Sequence, residues 1–94
     1  MPESQAFIKI TGRVQGVFFR ANTRDKALEL GLSGYAQNLP DGSVAVVAQG
    51  PRESLEDLIA WCHEGSTASK VEKVQVSWED VDPQEEPLEG FAVR

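Results

Sequence analysis

The sequence predicts an α+β, ferredoxin-like sandwich (βαββαβ), an antiparallel sheet of four to five strands with two helices on one face. Three observations predict it. Segments with the two-residue hydrophobic period of a strand and segments with a helical period follow one another in the order β, α, β, β, α, β, and a short fifth strand closes the chain. Right-handed crossovers leave few other ways to join that order into one sheet. A length of 94 residues suits one domain and is too short for two, so residues 1–94 are read as a single domain with a shared core.

The first strand is read at Ala6 to Thr11, where Ile8 and Ile10 face one side and Lys9 and Thr11 the other. A glycine-containing turn follows. Ala21 to Leu30 is rich in helix formers, and Gly31 supplies a residue able to end a helix in a left-handed conformation. Ser33 to Asn38 is the second strand, Leu39-Pro40-Asp41-Gly42 carries turn chemistry, and the β-branched run Ser43 to Gln49 completes a hairpin. Gly50-Pro51 stops that strand. Leu55, Leu58, Ile59 and Cys62 then recur at i, i+3, i+4 and i+7, with Glu53, Glu56 and Asp57 toward the positive N-terminal end and Gly65 past the last turn. Val74, Val76 and Trp78 alternate with Lys73, Gln75, Ser77 and Glu79, a strand with one wet face. Asp82 to Gly90 reads as an exposed connection, and Phe91 to Arg94 as a short edge strand.

Composition narrows the function classes. Cys62 is the single cysteine, so neither an intrachain disulfide nor a Cys/His metal cluster is available, and a reducing, cytoplasmic setting is expected. Fifteen acidic against nine basic side chains give a net charge of −6, the opposite of what a nucleic-acid surface requires. No window is apolar enough for a membrane span, and MPESQAF lacks the character of a signal peptide. With an acidic surface and no excess apolar stripe, a monomer is the expectation. A small anion is compatible with this charge, because one arginine and a set of backbone amides act at short range.

The chemistry is sought in GRVQGVFFRAN, residues 12–22. A strand that runs through a tight turn into a helix leaves backbone N–H groups without partners, and these favour an anion together with the helix N-terminus. Gly12 and Gly16 permit the turn, and Arg20 can grip two phosphate oxygens with its planar fork. The stretch lacks the Lys-Ser/Thr ending of a nucleotide P-loop and the GxGxxG spacing of dinucleotide sites, so it suits one phosphate group. Glycines here are ordinarily turn residues, and an arginine at a helix start is ordinarily solvated. Phe18 and Phe19 are read as core aromatics that anchor the loop.

GRVQGVFFR at 12–20 and GYAQNLPDGSVAVVAQG at 34–50 resemble the two signature segments of the acylphosphatases, and the ending GFAVR resembles that family's C-terminal strand. The resemblance implies the ferredoxin-like fold and hydrolysis of the carboxyl-phosphate bond of acyl phosphates to a carboxylate and inorganic phosphate, with no metal and no cofactor. It implies that Arg20 binds the phosphate, that Asn38 positions the attacking water, and that the amides of Gln15, Gly16, Val17, Phe18, Phe19 and Arg20 cradle the phosphate oxygens. The implied partner is a small-molecule acyl phosphate, with no nucleic acid and no membrane. A neutral amide at Asn38 suits that role, since it can accept from water without repelling an anion.

Other chemistry-bearing residues have plainer readings. His63 has no predicted acidic or cysteine partner and is expected to be exposed. Cys62 falls on the apolar stripe, Asp41 and Gly42 in a turn, and Glu85-Glu86 in a solvated connection. Trp61 and Trp78 are read as core or sheet-face aromatics, and Tyr35 is given no role. Two other function classes compete: an anion-binding module without catalysis, like the N-terminal part of hydrogenase-maturation factors, and an RNA-binding sheet face. The acidic charge and the absence of an aromatic-basic strand motif weigh against RNA.

Overall fold

The structure is a computed structural model and describes residues 4–81 and 88–94. Its elements are β1 (Ser4–Arg13), α1 (Phe19–Glu29), β2 (Ser33–Asn38), β3 (Val44–Gly50), α2 (Arg52–Glu64), β4 (Lys70–Asp80) and β5 (Phe91–Val93). The strands lie in the order β4-β1-β3-β2-β5. The four longer strands pair antiparallel throughout, as the sequence predicts.

The short last strand departs from the expected antiparallel sheet. β5 runs parallel to β2, with Gly34 opposite Phe91 and Ala36 opposite Val93, so the sheet is mixed. A three-residue strand leaves no alternation from which direction could be read, and its direction is fixed by where β4 ends and how the chain returns. The expected connection at 82–90 lies largely outside the described residues, as do Glu85 and Glu86.

Alternation sorts the sheet into a buried and an open face. Ala6, Ile8 and Ile10 of β1 and Val44, Val46 and Ala48 of β3 are fully buried under the helices. α2 contributes Leu55, Leu58 and Cys62 from its apolar stripe, and α1 contributes Phe19, Thr23 and Ala27. Val74 and Trp78 of the edge strand β4 pack against this core, whereas Val76 is 37% exposed. The helices therefore clamp one face, and the ends of β1 and β2 are left to carry loops at one end of the sandwich.

The first helix begins two residues earlier than the sequence suggests, at Phe19 rather than Ala21. Its N-cap is Phe18, in a left-handed conformation and without any side-chain cap, so none of the usual Ser, Thr, Asp or Asn start signals marks the boundary. Arg20 thus lies inside the first helical turn. The second strand coincides with its predicted bounds, and the third starts at Val44 because Ser43 is drawn into the turn by Asp41.

Candidate active site

The two glycines of the 12–16 stretch serve different ends. Gly12 belongs to β1, at a register shift in its pairing with β4, and a side chain there would run into the backbone of Lys70 and Glu72. Gly16 belongs to the loop itself. It takes φ +75°, and the space where its side chain would stand is open. A ligand can therefore approach the backbone at Gly16 without obstruction.

Loop carbonyls are tied down behind this opening. Ser66 Oγ donates to the carbonyl of Val17 at 2.8 Å, Asn22 donates from both its backbone N and its Nδ2 to the carbonyl of Phe18, and Thr23 Oγ1 donates to that of Phe19. In a trans peptide the N–H points opposite its carbonyl, so the amides of Phe18, Phe19 and Arg20 are turned the other way. Among the described residues, the amides from Gln15 to Ala21 donate no backbone hydrogen bond. Uncommitted donors bent around one opening, with left-handed residues at 16 and 18, form a nest for an anion.

A depression of about 230 Å³ lies at this loop, lined by Val14, Gly16, Phe18, Phe19, Arg20, Ala21 and Val93. Arg20 is half-buried in its wall. Its Nη1 donates to the backbone oxygen of Arg94 at 2.6 Å, which fixes one edge of the guanidinium and leaves its other donors for a ligand.

The Gln15 side chain has a task the sequence did not reveal. Its Nε2 donates to the carbonyls of Leu39, at 2.7 Å, and Ser43, at 2.9 Å, and so straps the loop to both arms of the β2–β3 turn. Asn38 directly precedes Leu39, at the end of β2 opposite Val44. Asn38 does not line the depression, yet the strap brings its strand end alongside the loop. Its Oδ1 is shut from solvent and has no hydrogen-bond partner among the described residues. A buried carbonyl left unpaired costs about 1–3 kcal/mol.

The two phenylalanines part company. Phe19 is buried as predicted, against Trp61 at a ring-centroid distance of 5.4 Å. Phe18, also expected in the core, is 79% exposed, because its left-handed backbone swings the side chain outward from the N-cap position. Val17 is half-buried and packs on the core. Tyr35 carries the Arg94 guanidinium 3.8 Å above its ring. Neither this contact nor the Ser66 anchor left any trace in the sequence pattern, whereas the Gln15 strap falls within the first motif. Cys62 is buried in the core, and desolvation pushes its thiol up to about 12; His63 is exposed at the far end of α2.

A ferredoxin-like frame with a backbone nest beside one arginine puts the chain among the small α+β proteins, with a loop whose chemistry suits a compact oxyanion. Comparison with known proteins narrows the class. The acylphosphatase family model matches residues 6–93, and the chain belongs to that family. An acylphosphatase of Thermus thermophilus is 52% identical over 93 residues, covering 99% of both chains. Two solved structures share the fold over nearly their whole length. An acylphosphatase from Coxiella burnetii superposes with a TM-score of 0.84 at 40% identity, covering 99% of this chain and 94% of that one. One from Bacillus subtilis gives 0.88 at 32%, covering 97% and 98%.

Proposed function

We propose that the chain hydrolyses acyl phosphates at the depression beside Arg20, with the phosphoryl group in the loop of residues 15–20 and the attacking water held by Asn38. Membership of the acylphosphatase family supplies the reaction. The observation that carries the assignment of residues is the run of uncommitted amides from Gln15 to Ala21, of which Gly16, Phe18, Phe19, Arg20 and Ala21 line one depression.

The geometry supports a simple sequence of events. The loop amides and Arg20 bind the phosphoryl oxygens and withdraw charge from phosphorus as its negative charge builds. In this reading the Asn38 side chain, whose oxygen has no partner to hold it, turns its amide toward the depression, where it accepts a hydrogen bond from a water and so aims the water's lone pair at phosphorus. The water oxygen bonds to phosphorus while the bond from phosphorus to the acyl oxygen breaks, and that electron pair leaves with the carboxylate. One water proton stays on the phosphate and the other passes to solvent. A carboxylate, with an ordinary pKa of about 4, departs without a proton donor, so orientation and charge stabilisation suffice. No step requires a metal, a cofactor, a histidine or a thiol.

The chain would work as a cytoplasmic monomer on small-molecule substrates, with neither nucleic acid nor membrane as partner. Benzoyl phosphate, followed by absorbance with no metal added, is the deciding substrate. Turnover that saturates and is inhibited by inorganic phosphate is expected. A folded sample that binds phosphate but leaves benzoyl phosphate intact would be an anion-binding module instead.

A further inference from the structure

We infer that Phe18, with Ala21 and Val93, forms a wall that receives the acyl group of the substrate and selects uncharged, apolar acyl groups, aromatic ones above all. The inference rests on the functional reading above and extends it to the part of the substrate that the phosphate loop does not touch.

Phe18 is costly as it stands. Its φ of +62° places a bulky residue in the left-handed region, which residues with a large side chain rarely adopt. Its ring is also 79% exposed, the most exposed of the large hydrophobic side chains among the described residues. A glycine at this position would adopt the same backbone freely, and a polar side chain would meet the solvent at no penalty. Phe18 lines the same depression as Arg20.

The size of the depression points the same way. A phosphoryl group has three oxygens, and with the bridging oxygen it displaces the equivalent of about four waters, roughly 120 Å³ at about 30 Å³ each. The depression offers about 230 Å³, so space remains once the phosphoryl group is seated. Among the described residues Arg20 is the sole charged member of its lining, and Phe18, Ala21 and Val93 are apolar members of it. The acyl carbon is joined to phosphorus through a single oxygen. The acyl group therefore starts two bonds from phosphorus, beside the loop that carries Phe18, where a flat aromatic group finds a ring to pack on.

The test compares kcat/KM for benzoyl phosphate and acetyl phosphate in the wild type, Phe18→Ala and Phe18→Leu. Both substrates carry the same phosphoryl group, so any damage to the loop cancels in their ratio. The wild type should favour benzoyl phosphate about tenfold or more; Phe18→Ala should lose most of that preference, and Phe18→Leu should keep most of it. A ratio unchanged in Phe18→Ala, or lost equally in Phe18→Leu, overturns the inference. Binding of phenacylphosphonate and acetonylphosphonate, in which a methylene replaces the scissile oxygen, is measured calorimetrically on the same proteins. If the wild type hydrolyses neither substrate, the catalytic reading fails while the phosphonates still decide this one. Tighter binding of the phenacyl compound that depends on Phe18 supports the wall, and equal binding of the two overturns it.

Discussion

Arg20 Nη1 lies 2.6 Å from the backbone oxygen of Arg94, to which it donates, so Arg20 is held by the residue that directly follows the last strand of the sheet. Arg94 is fixed in turn. Its N donates to the carbonyl of Ala36 at 2.7 Å, and its guanidinium stacks over Tyr35. The parallel pairing of β5 with β2 delivers that oxygen to the loop. Tyr35→Leu removes the stacking platform while keeping an apolar side chain in the strand. It should lower kcat/KM by about twofold to fivefold, mostly through KM, as an exposed cation–π contact is worth about 0.5–1 kcal/mol and Arg20 loses only its orientation. Steady-state kinetics decide it. Unaltered kinetics would show that β5 does not hold Arg20 in its working pose.

Arg20→Lys keeps the charge and removes the fork. A lysine cannot donate to Arg94 and to two phosphoryl oxygens in one plane, so kcat/KM should fall by about 10³-fold or more with the fold intact. Circular dichroism and kinetics on one preparation separate the two effects. A loss below tenfold would take Arg20 out of transition-state stabilisation.

Asn38→Ala should part activity from stability. With Asn38 positioning the water as proposed, kcat should fall about 10²-fold to 10³-fold while phosphate binding changes little. The mutation also deletes a buried carbonyl oxygen that has no partner, so urea denaturation should show a protein no less stable than the wild type. A variant that lost phosphate affinity instead would place Asn38 among the phosphate ligands and not beside the water.

Much of this site was legible in the sequence, and the rest was not for identifiable reasons. Strand period, the stripe of α2 and the punctuation at Gly31, Gly42 and Gly50 fix where the elements lie, because each is a local property of the chain. Gly16 and Arg20 could be singled out as an anion loop since backbone donors at a strand-to-helix turn have no local acceptors. The Gln15 strap to Leu39 and Ser43, the Ser66 anchor on Val17 and the Arg94 contact with Arg20 all join residues 24 or more positions apart. Such contacts exist only once the sheet is assembled. Phe18 was misread as core because an aromatic beside a buried aromatic normally packs, and only its left-handed φ, which no pattern encodes, turns it outward.

The strap itself can be cut. Gln15→Ala removes two hydrogen bonds to backbone carbonyls, each worth about 0.5–1.5 kcal/mol, so unfolding free energy should drop by about 1–3 kcal/mol. The loop would also lose its register against the end of β2, and kcat/KM should fall about tenfold or more, since small displacements of positioning groups are costly. Gln15→Glu offers no donor at those carbonyls and should do no better. Full activity in a destabilised Gln15→Ala protein would make the strap a matter of folding alone.

The acid limb of stability should carry the mark of Asp41. Its carboxylate accepts from the Ser43 hydroxyl, pairs with Lys9 Nζ at 2.9 Å and accepts from the Ser43 backbone N at 2.9 Å. The Ser43 hydroxyl first, then Lys9, then the Ser43 amide hold the carboxyl well below its ordinary 3.8. A pKa lowered by folding means that the charged form is the one the native state favours. Its contribution is complete above the unfolded value and is lost as the pH falls below 3.8 toward the folded value. Asp41→Asn retains an acceptor for Ser43 but gives up the ion pair with Lys9, and it no longer titrates. Its stability deficit relative to the wild type should therefore be constant near neutrality and narrow steadily once the pH drops below 3.8. Urea denaturation of both proteins across that range is the measurement. A gap that stayed constant to the lowest pH at which both fold would mean that Asp41 does not lower its pKa through this turn.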